Sequence, residues 1–176
     1  DNYTPAYGSD DYLASFSAAG PTYEGHVKPD LVAPGGHILA GLEKPDYLGQ
    51  TFPQYFVDDT YFRLSGTSQA AAVVSGVAAL VLQKDPSLTP DDVKCRLIAT
   101  ADPAVEIGTG SKPYSIFQQG AGLVDAYRAV NTTERGCANA YYDINRDLAG
   151  VEHYAGPTAQ ESTGSRRFYL TNDFSD

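Results

Sequence analysis

The sequence predicts an α/β domain, and three segments carry that prediction. Tyr61 to Leu64 favours an extended strand, and Ala70 to Leu82 is an apolar run whose length fits only a helix. A second helix is predicted from Thr89 onward, and a third over Gly120 to Val130. Strand and helix signals therefore occur together along one chain.

Short extended segments separated by turns are expected before the strand at Tyr61. Leu31 to Gly36 reads as a brief buried strand stopped by Pro34 and Gly35, and Ile38 to Ala40 reads as another. The periodicity then fails from Gly41 to Tyr61, which predicts an acidic loop rich in aromatic residues. Its rings are expected to pack against their own domain; contact with a substrate is the alternative.

The apolar helix that follows Ser68 has almost no polar face, so we expect it to be buried in the middle of a domain. Its free N–H groups and the positive end of its dipole point towards the space around the Ser68 hydroxyl. This geometry suits an anion, or an oxyanion that forms during a reaction. The alternative is an ordinary turn and N-cap. The nucleophile elbow Gly-x-Ser-x-Gly is not matched, because Ala70 replaces its second glycine.

The second helix has a complete start signal. Thr89 is the predicted N-cap, Pro90 takes the first helical position, and Asp91 and Asp92 complement the helix dipole. Its apolar face is predicted to consist of Val93, Leu97 and Ile98. The third helix is predicted to turn its apolar side chains inward, namely Leu123, Val124, Tyr127 and Val130.

The bulk composition restricts the possible partners. The chain has 176 residues, of which 42% are hydrophobic, and a formal net charge of −10. This charge argues against nucleic acid or an anionic membrane as the main partner, because both attract clustered Lys and Arg. No apolar run is long enough to span a membrane without polar interruptions. The absence of methionine predicts a processed product or an excised fragment.

Two further features concern the cysteines and the C-terminal part. Cys95 and Cys137 form no metal-ligand pattern. Because Cys95 falls on a predicted helix, we interpret it as a buried free thiol, with a disulfide as the alternative. The composition becomes polar from Asn131 onward. We therefore predict a domain over residues 1–131, followed by a linker and the start of a C-terminal extension over 132–176.

Four motifs, "FSAAGP", "KPDLVAPG", "SGTSQAAAVVSGVAALV" and "GAGLVDAYRAV", occur in the order seen in subtilisin-like serine peptidases, the subtilases. The chain resembles this family from Phe16 to Val130. The resemblance maps Ser68 onto the family's nucleophile and its backbone N–H onto the oxyanion site. It implies the C-terminal portion of a subtilisin-like fold, with a mostly parallel sheet flanked by helices. Departures from the usual family pattern occur at Gln69, Ala72 and Val73.

The rest of the family's catalytic machinery has no match here. The triad order in subtilisin is Asp, His and then Ser, so the base should precede Ser68. Only His26 and His37 do so, neither is followed by Gly-Thr, and His153 lies beyond the domain. Asn2 is too close to "FSAAGP" to be the oxyanion asparagine. The resemblance thus implies that the Asp, His and Asn are supplied by upstream sequence absent from this chain.

The resulting hypothesis is a secreted serine endopeptidase that forms an acyl-enzyme on Ser68 and acts on proteins or peptides. It requires no cofactor, although structural calcium is compatible with an acidic member of the family. The chain alone is predicted to be inactive, because a serine hydroxyl needs a neighbouring base. The alternative is a non-catalytic relative that serves as a binding or scaffold module.

Overall fold

The computed structural model describes residues 12–22, 27–104, 113–138 and 145. Two strands and five helices follow one another, with a 3₁₀ turn at Pro53–Tyr55 between α1 and β2. In chain order they are β1 (Ile38–Gly41), α1 (Tyr47–Thr51), β2 (Tyr61–Leu64), α2 (Thr67–Lys84), α3 (Pro90–Ala99), α4 (Ile116–Gln119) and α5 (Ala126–Asn131). The strands near Ile38 and Tyr61 and the first two predicted helices are confirmed.

Strands β1 and β2 form an antiparallel pair, in which Ile38 lies opposite Leu64 and Gly41 opposite Tyr61. The α/β class is confirmed. Parallel pairing within the described residues is limited to one isolated bridge between Val32 and Leu123. The predicted strand over Leu31 to Gly36 is reduced to this bridge.

The segment between β1 and β2 is more ordered than the predicted loop, because it contains α1 and the 3₁₀ turn. Two of its aromatic rings pack against Phe62 of β2, in agreement with the expected packing against the chain's own domain. The ring centroid of Phe62 lies 5.0 Å from that of Phe56 and 6.0 Å from that of Tyr55, both edge-on. Phe62 is only 2% exposed, so this cluster attaches the segment to the hairpin.

Helix α2 extends over 18 residues, but only Val77 and Val81 are buried. The described residues therefore cover only part of a helix that we expect to be buried in the middle of a domain. Helices α3 and α5 pack against one side of it. Around the rest of the helix, Leu80 and Leu82 point in different directions and are 49% and 41% exposed.

Helix α3 begins with a capping box. Thr89 accepts a hydrogen bond from the Asp92 N–H, and the Asp92 carboxylate accepts one from the Thr89 N–H. The apolar side of α3 lies in a core shared with α2 and α5. The buried members of that core are Val77, Val81, Leu88, Val93, Leu97 and Ala129.

The third predicted helix is too long at its N-terminal end. Gly120 and Gly122 have positive φ angles of 58° and 121°, and a Cβ at Gly120 would lie 2.3 Å from the Asp30 carbonyl oxygen. These glycines form a tight turn against neighbouring backbone, so α5 starts only after its N-cap Asp125. The inward orientation predicted for Tyr127 is also wrong, since this residue is 78% exposed.

The interpretation of Cys95 as a free thiol is wrong. Cys95 and Cys137 form a disulfide with Cα atoms 5.0 Å apart. Nearby, Arg135 Nη2 lies 2.6 Å from Asp85 Oδ2, and the Gly136 N–H donates to Asp92. Residues on the C-terminal side of α5 are therefore attached to α3 and to the end of α2. The division into 1–131 and 132–176 stays a prediction.

Candidate active site

Ser68 is the second residue of α2, directly after the junction that connects this helix to β2. Its side chain is exposed. The strand ends at Leu64 because Ser65 and Gly66 leave the ladder, and the helix begins at Thr67. The hydroxyl thus stands at the positive end of an 18-residue helix dipole.

The start of α2 leaves backbone donors next to this hydroxyl. Gly66 is the N-cap and provides no side chain to accept a hydrogen bond. Its carbonyl oxygen accepts from the N–H groups of Gln69 and Ala70, at 3.1 and 3.3 Å. Among the described residues, the N–H groups of Thr67 and Ser68 have no acceptor. Two donors therefore point out of the helix beside an exposed serine, which is the arrangement that stabilises an oxyanion.

A turn that contains Gly35 packs against this junction. The Gly66 N–H donates to the Gly35 carbonyl oxygen at 2.8 Å. A Cβ at Gly35 would lie 2.8 Å from the Gly66 carbonyl oxygen and 3.1 Å from Ala70 Cβ. A larger residue at Gly35 would therefore push the start of α2 away. The "APGG" and "SGTS" segments, which are far apart in sequence, form one unit.

The sequence matches none of the three histidines to the family's catalytic base. His37 is exposed, and its backbone N–H donates to Ser65 Oγ at 2.8 Å. Within the described part of the chain, no hydrogen bond joins the Ser68 hydroxyl to any side chain. His26, His153 and Asn2 lie outside the described residues. Ser68 as the nucleophile, with its own N–H as an oxyanion donor, stays a prediction.

A second polar cluster surrounds Asp30 in the "KPD" motif. Its carboxylate lies 2.5 Å from Lys28 Nζ and 3.1 Å from Lys94 Nζ. Burial raises the pKa of Asp30, but hydrogen bonds and charge from the two lysines outweigh it and leave that pKa below its usual value. The Asp30 carbonyl oxygen also accepts from the Ala121 N–H at 2.9 Å. Asp30 thus joins the motif to α3 and the glycine turn, and its shifted pKa has a structural cause.

Sequence reasoning missed the support beneath Ser68. The sequence argued only against His37 as the base, whereas in the structure the backbone N–H of His37 donates to Ser65 Oγ. The available signal was the pair of glycines after Pro34, which indicates a close backbone approach. Its partner could not be read from the sequence, because 28 residues separate His37 from Ser65.

The described ranges contain no candidate for two other kinds of site. No three or more His, Cys, Asp or Glu side chains in these ranges are arranged to hold a metal ion. Structural calcium stays a prediction. No helix among these residues has the length and apolar character needed to cross a membrane.

Comparison with known proteins assigns the chain to a family. Residues 5–136 match the family described as the subtilase family, peptidase S8. The chain belongs to the subtilase family. The match includes the junction at Ser68 and all four motifs from which the resemblance was inferred.

Individual relatives agree with this assignment. The chain is 44% identical to serine protease AprX of Bacillus subtilis over 94 residues, or 53% of this chain and 21% of AprX. It is 37% identical to subtilisin-like protease SBT1.2 of Arabidopsis thaliana over 126 residues, or 68% of this chain and 16% of SBT1.2. Among solved structures it is similar to fervidolysin of Fervidobacterium pennivorans, a keratinolytic enzyme related to subtilisin. That alignment has 32% identity and a TM-score of 0.42, and covers 56% of this chain and 14% of fervidolysin. The chain thus spans only a small part of each.

Proposed function

We propose that this subtilase chain carries the nucleophile of a serine endopeptidase, which hydrolyses peptide bonds through an acyl-enzyme on Ser68. The observation that carries the proposal is the exposed serine at the start of α2, beside the N–H groups of Thr67 and Ser68 that have no described acceptor. A nucleophile at this place is held by a regular helix and faces donors that need no rearrangement.

The chemistry follows from these positions. Ser68 Oγ attacks the carbonyl carbon of the scissile bond while a base accepts its proton. The former carbonyl oxygen becomes an oxyanion and accepts hydrogen bonds from N–H groups at the helix start. The amine product then leaves with a proton, and water hydrolyses the acyl-enzyme to release the acid and regenerate Ser68. We assign the base, its orienting carboxylate and the oxyanion asparagine to a segment that precedes this chain.

The uncovered side of α2 supports such a preceding segment. Leu80 and Leu82 are large apolar residues at 49% and 41% exposure. A Cβ added at Gly76 would meet nothing within 4 Å, although small residues at this position predict close packing. Large apolar side chains exposed in more than one direction from the same helix indicate a missing partner. We propose that the preceding part of the same catalytic domain covers it in a full-length, secreted protease that acts on proteins or peptides without a required cofactor.

The test is Ser68→Ala in the full-length protease, with peptide hydrolysis as the measurement. We expect kcat to fall by on the order of 10⁶, the magnitude that removing the nucleophile has in subtilisin. Folding should be unchanged, because Ser68 is exposed and alanine is a good helix residue. Ser75→Ala is the matched control: it changes another exposed serine of α2, whose hydroxyl donates to the Ala71 carbonyl oxygen at 2.9 Å.

The control variant should keep its turnover. Near-normal turnover by Ser68→Ala would contradict the proposal. If the full-length protease hydrolyses no peptide at all but still binds one, the alternative of a non-catalytic binding module is correct.

A further inference from the structure

His37 has a backbone conformation that is uncommon for a residue other than glycine. Its φ angle is 54°, and among the described residues it is the only non-glycine with a positive φ. Few non-glycine residues adopt this left-handed conformation, and histidine is among those that tolerate it best, so surrounding contacts together with the residue type hold it here. Such positions are often linked to a site whose geometry depends on them.

The contact that holds His37 comes from the junction before Ser68. The ladder of β1 and β2 pairs Ile38 with Leu64, so Ser65 is the next residue opposite His37. Regular backbone pairing stops there, and the His37 N–H instead donates to Ser65 Oγ at 2.8 Å. A side-chain hydroxyl thus takes the place of a ladder carbonyl.

A second bond follows immediately. The Gly66 N–H donates to the Gly35 carbonyl oxygen at 2.8 Å, and Gly35 lies in close contact with Ala70. We call residues 34–37 the support loop. It contacts the chain on both sides of Ser68, at Ser65 and Gly66 before it and at Ala70 after it. The direction in which the chain enters α2 is therefore fixed by this loop.

We propose that Ser65 is a positioning residue for Ser68: by accepting the His37 N–H, its hydroxyl locks the support loop and keeps the nucleophile aligned with the N–H donors of Thr67 and Ser68. His37 takes part through its main chain and not through its imidazole. The inference rests on the proposed function of Ser68. It adds that full activity requires the Ser65 hydroxyl as well as the nucleophile and its base.

Steady-state kinetics of the full-length protease test the catalytic part. Ser65→Ala should lower kcat about tenfold to a hundredfold, because small misplacements of a reacting group have effects of this size. KM should change little, since substrate binding is not the step affected. Ser65→Thr keeps an acceptor hydroxyl and should recover most of the lost kcat. His37→Gly keeps the N–H and relieves the backbone strain, so its kcat should fall by less than that of Ser65→Ala.

Two kinetic outcomes would overturn the assignment. One is an unchanged kcat in Ser65→Ala. The other is a loss in His37→Gly as large as that in Ser68→Ala, which would show that the imidazole is the functional group.

Amide hydrogen exchange tests the structural part without any turnover. In Ser65→Ala, the amides of His37 and Gly66 should exchange at least about tenfold faster than in the unmodified protein, while those in the middle of α3 should not change. Unchanged exchange at both amides would show that the Ser65 hydroxyl does not fix the support loop, even if Ser68 is the nucleophile. If no Ser68-dependent hydrolysis is found, the proposed function fails, and the exchange rates still decide whether Ser65 fixes the support loop.

Discussion

Helices α2 and α3 are neighbours in sequence and in space, yet they are built differently. The longer α2 has 18 residues, two of them buried, and no side-chain N-cap. The shorter α3 has 10 residues, five of them buried, and a complete capping box. The apolar helix is thus the more exposed one. Among the described residues, α3 therefore contributes more buried surface to stability than α2 does. Helix α2 carries the candidate nucleophile and exposes most of its surface to solvent.

The largest predicted effect on stability concerns the disulfide that attaches the C-terminal side to α3. Replacing both cysteines, Cys95→Ser with Cys137→Ser, should lower the free energy of unfolding by about 4 kcal/mol, because a bridge between residues 42 positions apart restricts the unfolded chain. Urea denaturation under non-reducing conditions measures this.

The reducing agent dithiothreitol provides the control for that variant. It should destabilise the unmodified chain by a similar amount and leave the double variant unaffected. Equal stability of the two proteins without reductant would show that α3 does not depend on this bridge.

A matched pair of leucines compares the two helices directly. Leu97 on α3 is 7% exposed and lies in the shared core, whereas Leu80 on α2 is 49% exposed. Leu97→Ala should cost about 3 kcal/mol of unfolding free energy, and Leu80→Ala less than about 0.5 kcal/mol in this chain. In the full-length protease the cost of Leu80→Ala should rise, because the proposed preceding segment covers it. If Leu80→Ala lowers the free energy of unfolding equally in both proteins, the proposed preceding segment does not cover Leu80.

The N-terminal cap of α3 gives a smaller effect. Thr89→Ala removes the side-chain acceptor for the Asp92 N–H and should cost about 1 kcal/mol of unfolding free energy. Thr67→Ala at the start of α2 is the control, because no side-chain cap exists there, and it should be close to neutral. A loss at Thr67 as large as that at Thr89 would remove the distinction between the two helix starts.

The capping box of α3 predicts that the free energy of unfolding depends on pH. Hydrogen bonds from the backbone N–H and then the hydroxyl of Thr89 hold the pKa of Asp92 below its ordinary value of 3.8. The native state therefore binds fewer protons than the unfolded state, so this contribution is present above pH 3.8 and is lost as the pH falls through the lowered native pKa. Asp92→Asn should flatten this part of the stability profile in acid denaturation. An unchanged profile would exclude Asp92 as the cause.

Residue types and their spacing along the chain predicted those features of the fold that depend on neighbouring residues. The cap at Thr89, the strand-to-helix junction at Ser68 and the presence of a long helix after it follow from residue type and spacing, and the structure has these elements. The sequence did not predict features that depend on contacts between distant segments. The disulfide joins residues 42 positions apart, and the turn at Gly120 forms because the Asp30 backbone approaches it. The exposure of α2 depends on neighbours outside the described residues, which helical periodicity does not report.

Labelling with a serine-directed fluorophosphonate probe shows whether Ser68 is the nucleophile and whether its base lies outside this chain. The probe reacts with a serine hydroxyl that a neighbouring base activates, and we propose that the base of Ser68 lies in a preceding segment. The full-length protease should be labelled stoichiometrically at Ser68, the Ser68→Ala variant should not, and the 176-residue chain alone should remain unlabelled. Fast, stoichiometric labelling of Ser68 in the chain alone would show that a functional base lies within it. Absence of labelling at Ser68 in the full-length protease would show that Ser68 is not the nucleophile.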